Sequence, residues 1–260
     1  MSGDPFTGEF LIETDARFAA DIAQHLVPYL YCASRLAGAR VAEIGCGSGY
    51  GAARLAASVG QVDAFDQNPR AIAWARAHYR AANLRYLHEG TDPSPSPAGY
   101  DAVVCFQVLE HLERPEPFLE RLRELLRPGG TLFLTTPNRV TSAGENIYHL
   151  HEYEPEELAT LLRARFAAVT LLGITGGEGF RGYQTARRAA MQRYLRWDPL
   201  GLRRLVPRRW LAALYPRLAR AVRERSRPQA VVAPVVRPEE FRVAAEGLAA
   251  ADDLFALCVR

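Results

Sequence analysis

Val41-Ala42-Glu43-Ile44-Gly45-Cys46-Gly47-Ser48-Gly49-Tyr50-Gly51 is the stretch on which the reading of this chain turns. A short apolar run gives way to closely spaced glycines, and Ala52–Ala57 continues with helical character. Glycines there permit turns and a close ligand approach that a Cβ would forbid. Free amides at the start of the following helix can meet polar or anionic ligand groups. Asp66 ends the next apolar run, 17 residues after Gly49. At about that offset (~20 residues) an acid can accept both hydroxyls of a ribose, so the expected ligand carries adenosine. Gly47-x-Gly49-x-x-Ala52 also fits a dinucleotide fingerprint. Glu43 separates the two readings: a carboxylate beneath the loop suits a sulfonium with an α-amino group and suits a pyrophosphate poorly. The plainer role for Glu43 is to organise the loop.

Outward from this loop, apolar β-like runs alternate with helical patterns, the signature of a parallel sheet built from βαβ units. The predicted strands are Arg40–Gly45, Gln61–Asp66, Leu84–His88, Asp101–Phe106, Thr131–Thr136, Ala167–Leu172 and a last one at Asp253–Arg260. Phe118, Leu119, Leu122, Leu125 and Leu126 recur at helical spacing until Arg127-Pro128-Gly129-Gly130 stops them. Leu158, Leu161, Leu162 and Phe166 form a second stripe after Pro155, which suits a first helical turn. Phe18, Ile22 and Leu26 share one face of an N-terminal helix. These stripes are core packing. The expected organisation is an N-terminal helical cover over 1–38, a core over 39–172, a helical insertion or lid over 173–251, and a last core strand over 252–260. A connection as long as 173–251 is rarely structureless in a compact domain.

Composition narrows the class. The 260 residues, 48% hydrophobic and 23% charged, suit one catalytic domain with elaborations. The start of the chain shows no secretory pattern, and no run approaches the ~20 apolar residues of a membrane span, so the expected location is the cytoplasm. Cys32, Cys46, Cys105 and Cys258 lack metal-ligand spacing and read as reduced core thiols. All 32 basic residues are arginine. Between Arg181 and Arg227 fourteen arginines meet only Asp198 and Glu224, a local balance of +12 that leaves the rest at −9. Tyr183, Tyr194, Trp197, Trp210 and Tyr215 interleave with them, and Pro199, Pro207 and Pro216 divide the segment. That composition suits a solvated lid, an anionic membrane surface on the inner face, or a phosphorylated acceptor or nucleic acid.

Several motifs in order resemble the class I S-adenosylmethionine-dependent methyltransferases over about Phe6 to Gly173. Glu43-Ile-Gly-Cys-Gly-Ser-Gly49 looks like the donor loop, with Glu43, Gly45, Cys46, Gly47 and Gly49 as its members. Asp66 looks like the ribose-binding acid, Gln67 like the residue flanking the adenine, and Gly90-Thr91-Asp92 like the turn that meets the adenine amino group. Tyr100-Asp-Ala-Val-Val-Cys-Phe-Gln-Val-Leu-Glu-His-Leu112 resembles the fourth strand and the helix after it, which assigns Phe106 and Gln107 to the donor. Leu126-Arg-Pro-Gly-Gly130 with Thr135-Thr-Pro-Asn138 resembles the fifth-strand motif. The resemblance implies a Rossmann-like seven-stranded sheet with an antiparallel last strand, and S-adenosylmethionine as cofactor. The implied reaction is in-line displacement at the methyl carbon, where the protein must align the acceptor and manage its proton.

On the acceptor side, Glu110, His111 and His149 are the candidate catalytic residues, His111 as general base. Glu110 and His111 could instead organise the loop. The pattern also resembles the Glu-x-x-Glu-His plus distant His of small-RNA 3′-end 2′-O-methyltransferases, and a related pattern in quinone O-methyltransferases. That would make Glu110, His111 and His149 metal ligands. Gln107 stands where those families have Glu and so weakens the set, and the expected site contains no metal. Asn146-Ile-Tyr-His-Leu-His-Glu-Tyr153 resembles bacterial methyltransferases with Asn-x-Tyr/Phe-His-x-x-Glu-Tyr, many of which accompany glycan or lipid-glycan pathways. Glu9-Phe10 and Gln24-His25 fit that pattern too. The resulting expectation is O-methylation of a small-molecule, glycan or lipid-linked acceptor. The alternatives are a metal-dependent RNA 2′-O-methyltransferase, a non-catalytic donor-binding scaffold and a dehydrogenase.

Overall fold

The computed structural model describes residues 11–13, 15, 18–89, 91, 99–142, 146, 148–195 and 236–260. Its strands are β1 (Arg40–Ile44), β2 (Gln61–Asp66), β3 (Leu84–His88), β4 (Tyr100–Phe106), β5 (Leu126–Pro137), β6 (Ala168–Thr175), β7 (Arg242–Ala244) and β8 (Asp253–Val259). The helices are α1 (Ala19–Ala33), α2 (Tyr50–Ala56), α3 (Pro69–His78), α4 (Pro115–Leu125), α5 (Pro155–Arg163) and α6 (Glu178–Leu195). The strands form one sheet in the order β3-β2-β1-β4-β5-β8-β6-β7. β1 to β5 pair in parallel, and β8 runs antiparallel between β5 and β6. The strand order reverses between β1 and β4, and in open sheets of this kind ligands bind beyond the strands' C-terminal ends at such a switch point.

The sequence pattern predicts seven strands, and the described residues form eight. The added strand, β7, lies inside the segment expected to be a helical insertion, and β6 runs on past Leu172 to Thr175 to pair with it. Three residues with Val243 as the one strongly apolar side chain carry too little alternation to register as a strand. β7 forms because β6 offers it an open edge. Leu126, expected at the end of a helical stripe, instead starts β5 opposite Tyr100.

Side chains alternate across each strand, and this places the site. Val41, Val104, Phe106, Phe133 and Phe255 face one layer, with Ile22, Leu26 and Tyr29 of α1, Ala52 and Leu55 of α2, and Phe180 of α6. Ala42, Ile44, Val103, Leu132, Leu134 and Leu254 face the other, with Leu119 and Leu122 of α4 and Leu158 and Leu162 of α5. Pro155 occupies the first turn of α5, where Glu154 and Glu157 form a reciprocal cap. All four cysteines are free and buried. Among the described residues, no helix is long and apolar enough to cross a membrane.

Candidate active site

Past Ile44 the chain turns through Gly45, Gly47 and Gly49 at φ of 82°, 53° and 87°. A Cβ on Gly45 would lie 2.5 Å from Val108 Cγ2, and one on Gly49 would lie 2.7 Å from both Ala75 Cβ and Tyr86 Cε1. Both positions therefore need glycine for conformation and for space. The amides of Gly45 and Cys46 donate to the Phe65 carbonyl at 2.8 and 2.9 Å. Gly47 N donates to Asp66 Oδ2 at 2.8 Å, and Asn68 N to Oδ1 at 2.7 Å. These bonds hold the Asp66 carboxylate beside the loop, and each of its oxygens keeps a further lone pair for a ligand hydroxyl.

Glu43 shares the face of Val41 and meets α1. Its side chain is buried, and Tyr29 Oη donates to Oε1 at 2.5 Å. Oε2 has no hydrogen-bond partner. Burial pushes the carboxyl up to about 7; the Tyr29 hydrogen bond opposes the shift and the Asp66 charge adds to it. A buried carboxyl with one orphaned oxygen is costly unless a donor or cation completes it. Together with the glycine cradle, this fits the cationic end of a sulfonium amino acid.

At the neighbouring edge His88, which pairs with Asp66 across β3 and β2, joins the rest of the expected donor set. Its Nε2 lies 3.0 Å from the Gln67 carbonyl and its Nδ1 2.8 Å from Thr91 Oγ1. Sequence reasoning misses His88; its one signal is the last position of the strand beside Asp66. Asp92, with Gly90, lies outside the described residues. Phe106 packs edge-on against Tyr29, ring centroids 4.8 Å apart, at the Glu43 end. Gln107 Nε2 lies 3.4 Å from Thr135 Oγ1, and its side chain hydrogen-bonds Asp253. Asp66→Ala is expected to weaken donor binding by ~1.5–3 kcal/mol, the worth of hydrogen bonds to a charged group. Titration calorimetry with S-adenosylhomocysteine checks this, and an unchanged affinity removes Asp66 from the ribose.

Glu110, His111 and His149 come together, with one ligand-capable atom of each within 4.8 Å of the others. Glu110 is fully buried; Thr136 Oγ1 donates to its Oε2 at 3.0 Å, and its carbonyl accepts from Leu150 N at 2.7 Å and His151 N at 3.2 Å. It thus anchors the loop after β5. Oε1 lacks a hydrogen bond and stands 3.8 Å from His111 Nε2. Burial raises the Glu110 carboxyl, with His111 and His149 opposing. His111 Nδ1 lies 3.1 Å from the Tyr148 carbonyl, which fixes the hydrogen on Nδ1 and leaves Nε2 as the basic nitrogen of the neutral ring. His149 Nδ1 lies 2.6 Å from Glu152 Oε1 and its ring stands edge-on to His111 at 5.1 Å. His151 turns outward to Glu157 at 2.6 Å.

The arginine-rich segment is described only as far as α6. There Arg181 donates to the Gly176 carbonyl, Arg187 to Asp21 of α1 and Arg188 to the Thr141 carbonyl. Tyr183 Oη donates to Asp21 at 3.1 Å. The start of the segment is thus tied to α1 through Asp21. The expected membrane, phosphate or nucleic-acid contacts through Trp197, Trp210 and their neighbours fall outside the described residues, as do Glu9 and Phe10.

A sequence profile of the methyltransferase domain matches residues 12–171. The chain belongs to the methyltransferase family. This methyltransferase is 38% identical over 181 residues to a probable S-adenosylmethionine-dependent methyltransferase of Mycolicibacterium smegmatis, covering 67% of this chain and 70% of the relative. It is 37% identical over 164 residues to a similarly named protein of Mycobacterium tuberculosis, covering 61% of this chain and 60% of that one. A ubiquinone biosynthesis O-methyltransferase of Xanthomonas campestris is 34% identical over 168 residues, covering 56% of this chain and 70% of the relative. A solved S-adenosylmethionine-dependent methyltransferase of Thermotoga maritima superposes with a TM-score of 0.58 at 15% identity, covering 97% of this chain and 96% of its own. The latter likeness shows the fold alone. The chain is an S-adenosylmethionine-dependent enzyme, and the dinucleotide and scaffold readings of its glycine loop are set aside.

Proposed function

We propose that this methyltransferase places the donor's methyl group on an oxygen of a small-molecule, glycan or lipid-linked acceptor. When bound, the donor supplies a sulfonium methyl group whose transfer to an oxygen lone pair releases a neutral thioether. Glu43 faces the cationic amino-acid end with its orphaned oxygen, Asp66 takes the ribose hydroxyls, and His88 holds Gln67 and Thr91 beside the adenine. His111 is the base: its Nε2 takes the acceptor's hydroxyl proton as the oxygen–methyl bond forms. The observation that carries this reading is the Nδ1 contact of His111 with the Tyr148 carbonyl, which leaves Nε2 basic at the end of β4. The ubiquinone relative's name supports oxygen as the acceptor atom.

His111→Ala is expected to lower turnover ~10²-fold, at the low end of what general bases contribute, with donor affinity kept. Labelled S-adenosylmethionine incubated with fractionated cell extract reads the first, and calorimetry the second. Equal turnover would return His111 to a purely structural role. The orphaned Glu110 Oε1 beside two histidines favours one second reading, a divalent cation held by Glu110, His111 and His149. Turnover that a chelator abolishes and magnesium or zinc restores selects it; chelator-resistant turnover excludes it.

A further inference from the structure

Asp253 opens β8, and β8 runs opposite to β4 and β5, so Asp253 lies where those strands end. Alternation along β8 puts it on the face of Phe255, whose ring lies 6.2 Å from that of Phe106. This is the α1 face that also carries Glu43, so Asp253 and the Glu43 carboxyl line the same side of the sheet's C-terminal edge. Thr135 belongs to that face, whereas Thr136, the partner of Glu110, belongs to the other.

Asp253 is 5% exposed. Gln24 Nε2 of α1 donates to its Oδ2 at 2.7 Å, and the Gln107 side chain supplies another hydrogen bond. Among the described residues no cation pairs with it, and the charged groups that act on it, Asp252 and Glu110, are both acidic. Burial, then these two acids, push its carboxyl up to about 8. Aspartate is almost never buried without a partner charge, because removing the carboxylate from water is costly. Its neighbour Asp252 has an evident structural task, accepting the Gly176 amide at 2.7 Å. Among the described residues, no backbone amide donates to the Asp253 side chain.

Gln107 adds an independent sign. It has φ of 56° and is the one non-glycine residue with positive φ among those described. A residue that is not glycine is held there at a cost, and such outliers gather where a ligand needs the side chain aimed. The strain aims Gln107 at Asp253 and Thr135.

We propose that Asp253, clamped by Gln24 and Gln107, is an acceptor-binding carboxyl that selects acceptors with a hydroxyl group to donate into it. The inference rests on the reading that an acceptor enters at this edge. Protonated or ionised, the carboxyl keeps acceptor lone pairs beyond those that the two glutamine amides occupy. A site built to pair with a hydroxyl discriminates strongly against analogues that lack it.

The test uses the full chain carrying Asp253→Asn, with three readouts: calorimetry with S-adenosylhomocysteine, thermal unfolding, and methyl transfer from labelled S-adenosylmethionine to aqueous and organic extracts of the source cells. The expected result is donor-product affinity within about twofold of the parent, an unchanged or higher Tm, and kcat/KM down at least about tenfold through KM. Gln24→Ala is expected to show the same pattern more weakly. A Tm lower by more than about 5 °C, equivalent to the loss of a structural interaction, overturns the proposal, as does transfer within about twofold of the parent in both variants. If the parent binds S-adenosylhomocysteine but labels no extract fraction, the acceptor reading itself fails and takes this inference with it.

Discussion

Glu43→Gln is expected to lower affinity for S-adenosylmethionine about 10³-fold, roughly the 3–5 kcal/mol lost when one partner of a buried charge pair is removed. The folded protein is expected to gain stability at neutral pH in the absence of ligand. The two effects have one cause. The carboxyl is buried, receives one hydrogen bond from Tyr29 and leaves Oε2 unpartnered, so in the free protein its charge is uncompensated. Its folded value of about 7 lies above the ordinary carboxylate value of 4.5. Below pH 4.5 both states are protonated and Glu43 costs nothing. As pH rises from there to 7 the unfolded chain ionises first, and stability falls by up to about 3 kcal/mol before levelling off. Glutamine accepts the same Tyr29 hydrogen bond without that penalty. The stability difference between variant and parent should therefore grow between these limits and stay flat above, as read by urea denaturation across pH. A cationic ligand group reverses the cost by favouring the ionised form. Binding to the parent should accordingly release a proton near pH 6, seen as a buffer-dependent calorimetric enthalpy that the variant lacks. A variant that binds as tightly as the parent removes Glu43 from the cationic end.

The residues legible in sequence are those where ligand chemistry constrains the backbone. Gly45 and Gly49 hold left-handed φ against side chains that no Cβ could share, and Asp66 closes a strand whose apolar run predicts its end. Glu110, His111 and His149 are likewise nameable, but their neighbours are not. The carbonyl of Tyr148 that fixes the His111 tautomer, and the Glu110 carbonyl that holds Leu150 and His151, are backbone groups with no sequence signature. His88 is hidden because a histidine at a strand end has many roles, and only the pairing with Asp66 selects one. β7 is hidden because an edge strand of three residues is created by its neighbour rather than by its own pattern. In sequence Asp253 is no more than the boundary of the last strand. Its burial follows from β8 running antiparallel into the ligand edge, a fact of topology that periodicity does not carry.

Asp63→Ala should cost about 3 kcal/mol of stability, the low end of the range for breaking a buried ion pair, while leaving donor affinity unchanged. For a chain of this size that corresponds to a Tm lower by roughly 10 °C. Asp63 is fully buried on β2, and its oxygens receive Arg85 Nε and Nη2, each at 2.7 Å. Tyr100 Oη donates at 2.9 Å and Gln61 Nε2 at 3.1 Å, while Arg40 stands 3.7 Å away. One carboxylate therefore ties together side chains from β1, β2, β3 and β4. Removing it orphans the buried Tyr100 hydroxyl, whereas Arg85, half exposed, can turn to water, which sets the expectation at the low end. Burial alone would raise this carboxyl, but the hydrogen bonds from Arg85, Tyr100 and Gln61 outweigh it and hold it below its ordinary value. A lowered carboxylate stabilises above its unfolded value and loses that contribution as pH falls through its folded one. The gap in stability between parent and variant should thus be full at neutral pH and close in acid, which thermal unfolding at several pH values reads directly. Asp66, at the end of the same strand, should differ in losing donor affinity as well as the stability that its bonds to the Gly47 and Asn68 amides supply. If Asp63→Ala weakens S-adenosylhomocysteine binding as much as Asp66→Ala does, the sheet transmits the loss to the ligand edge and the two ends of β2 are not independent.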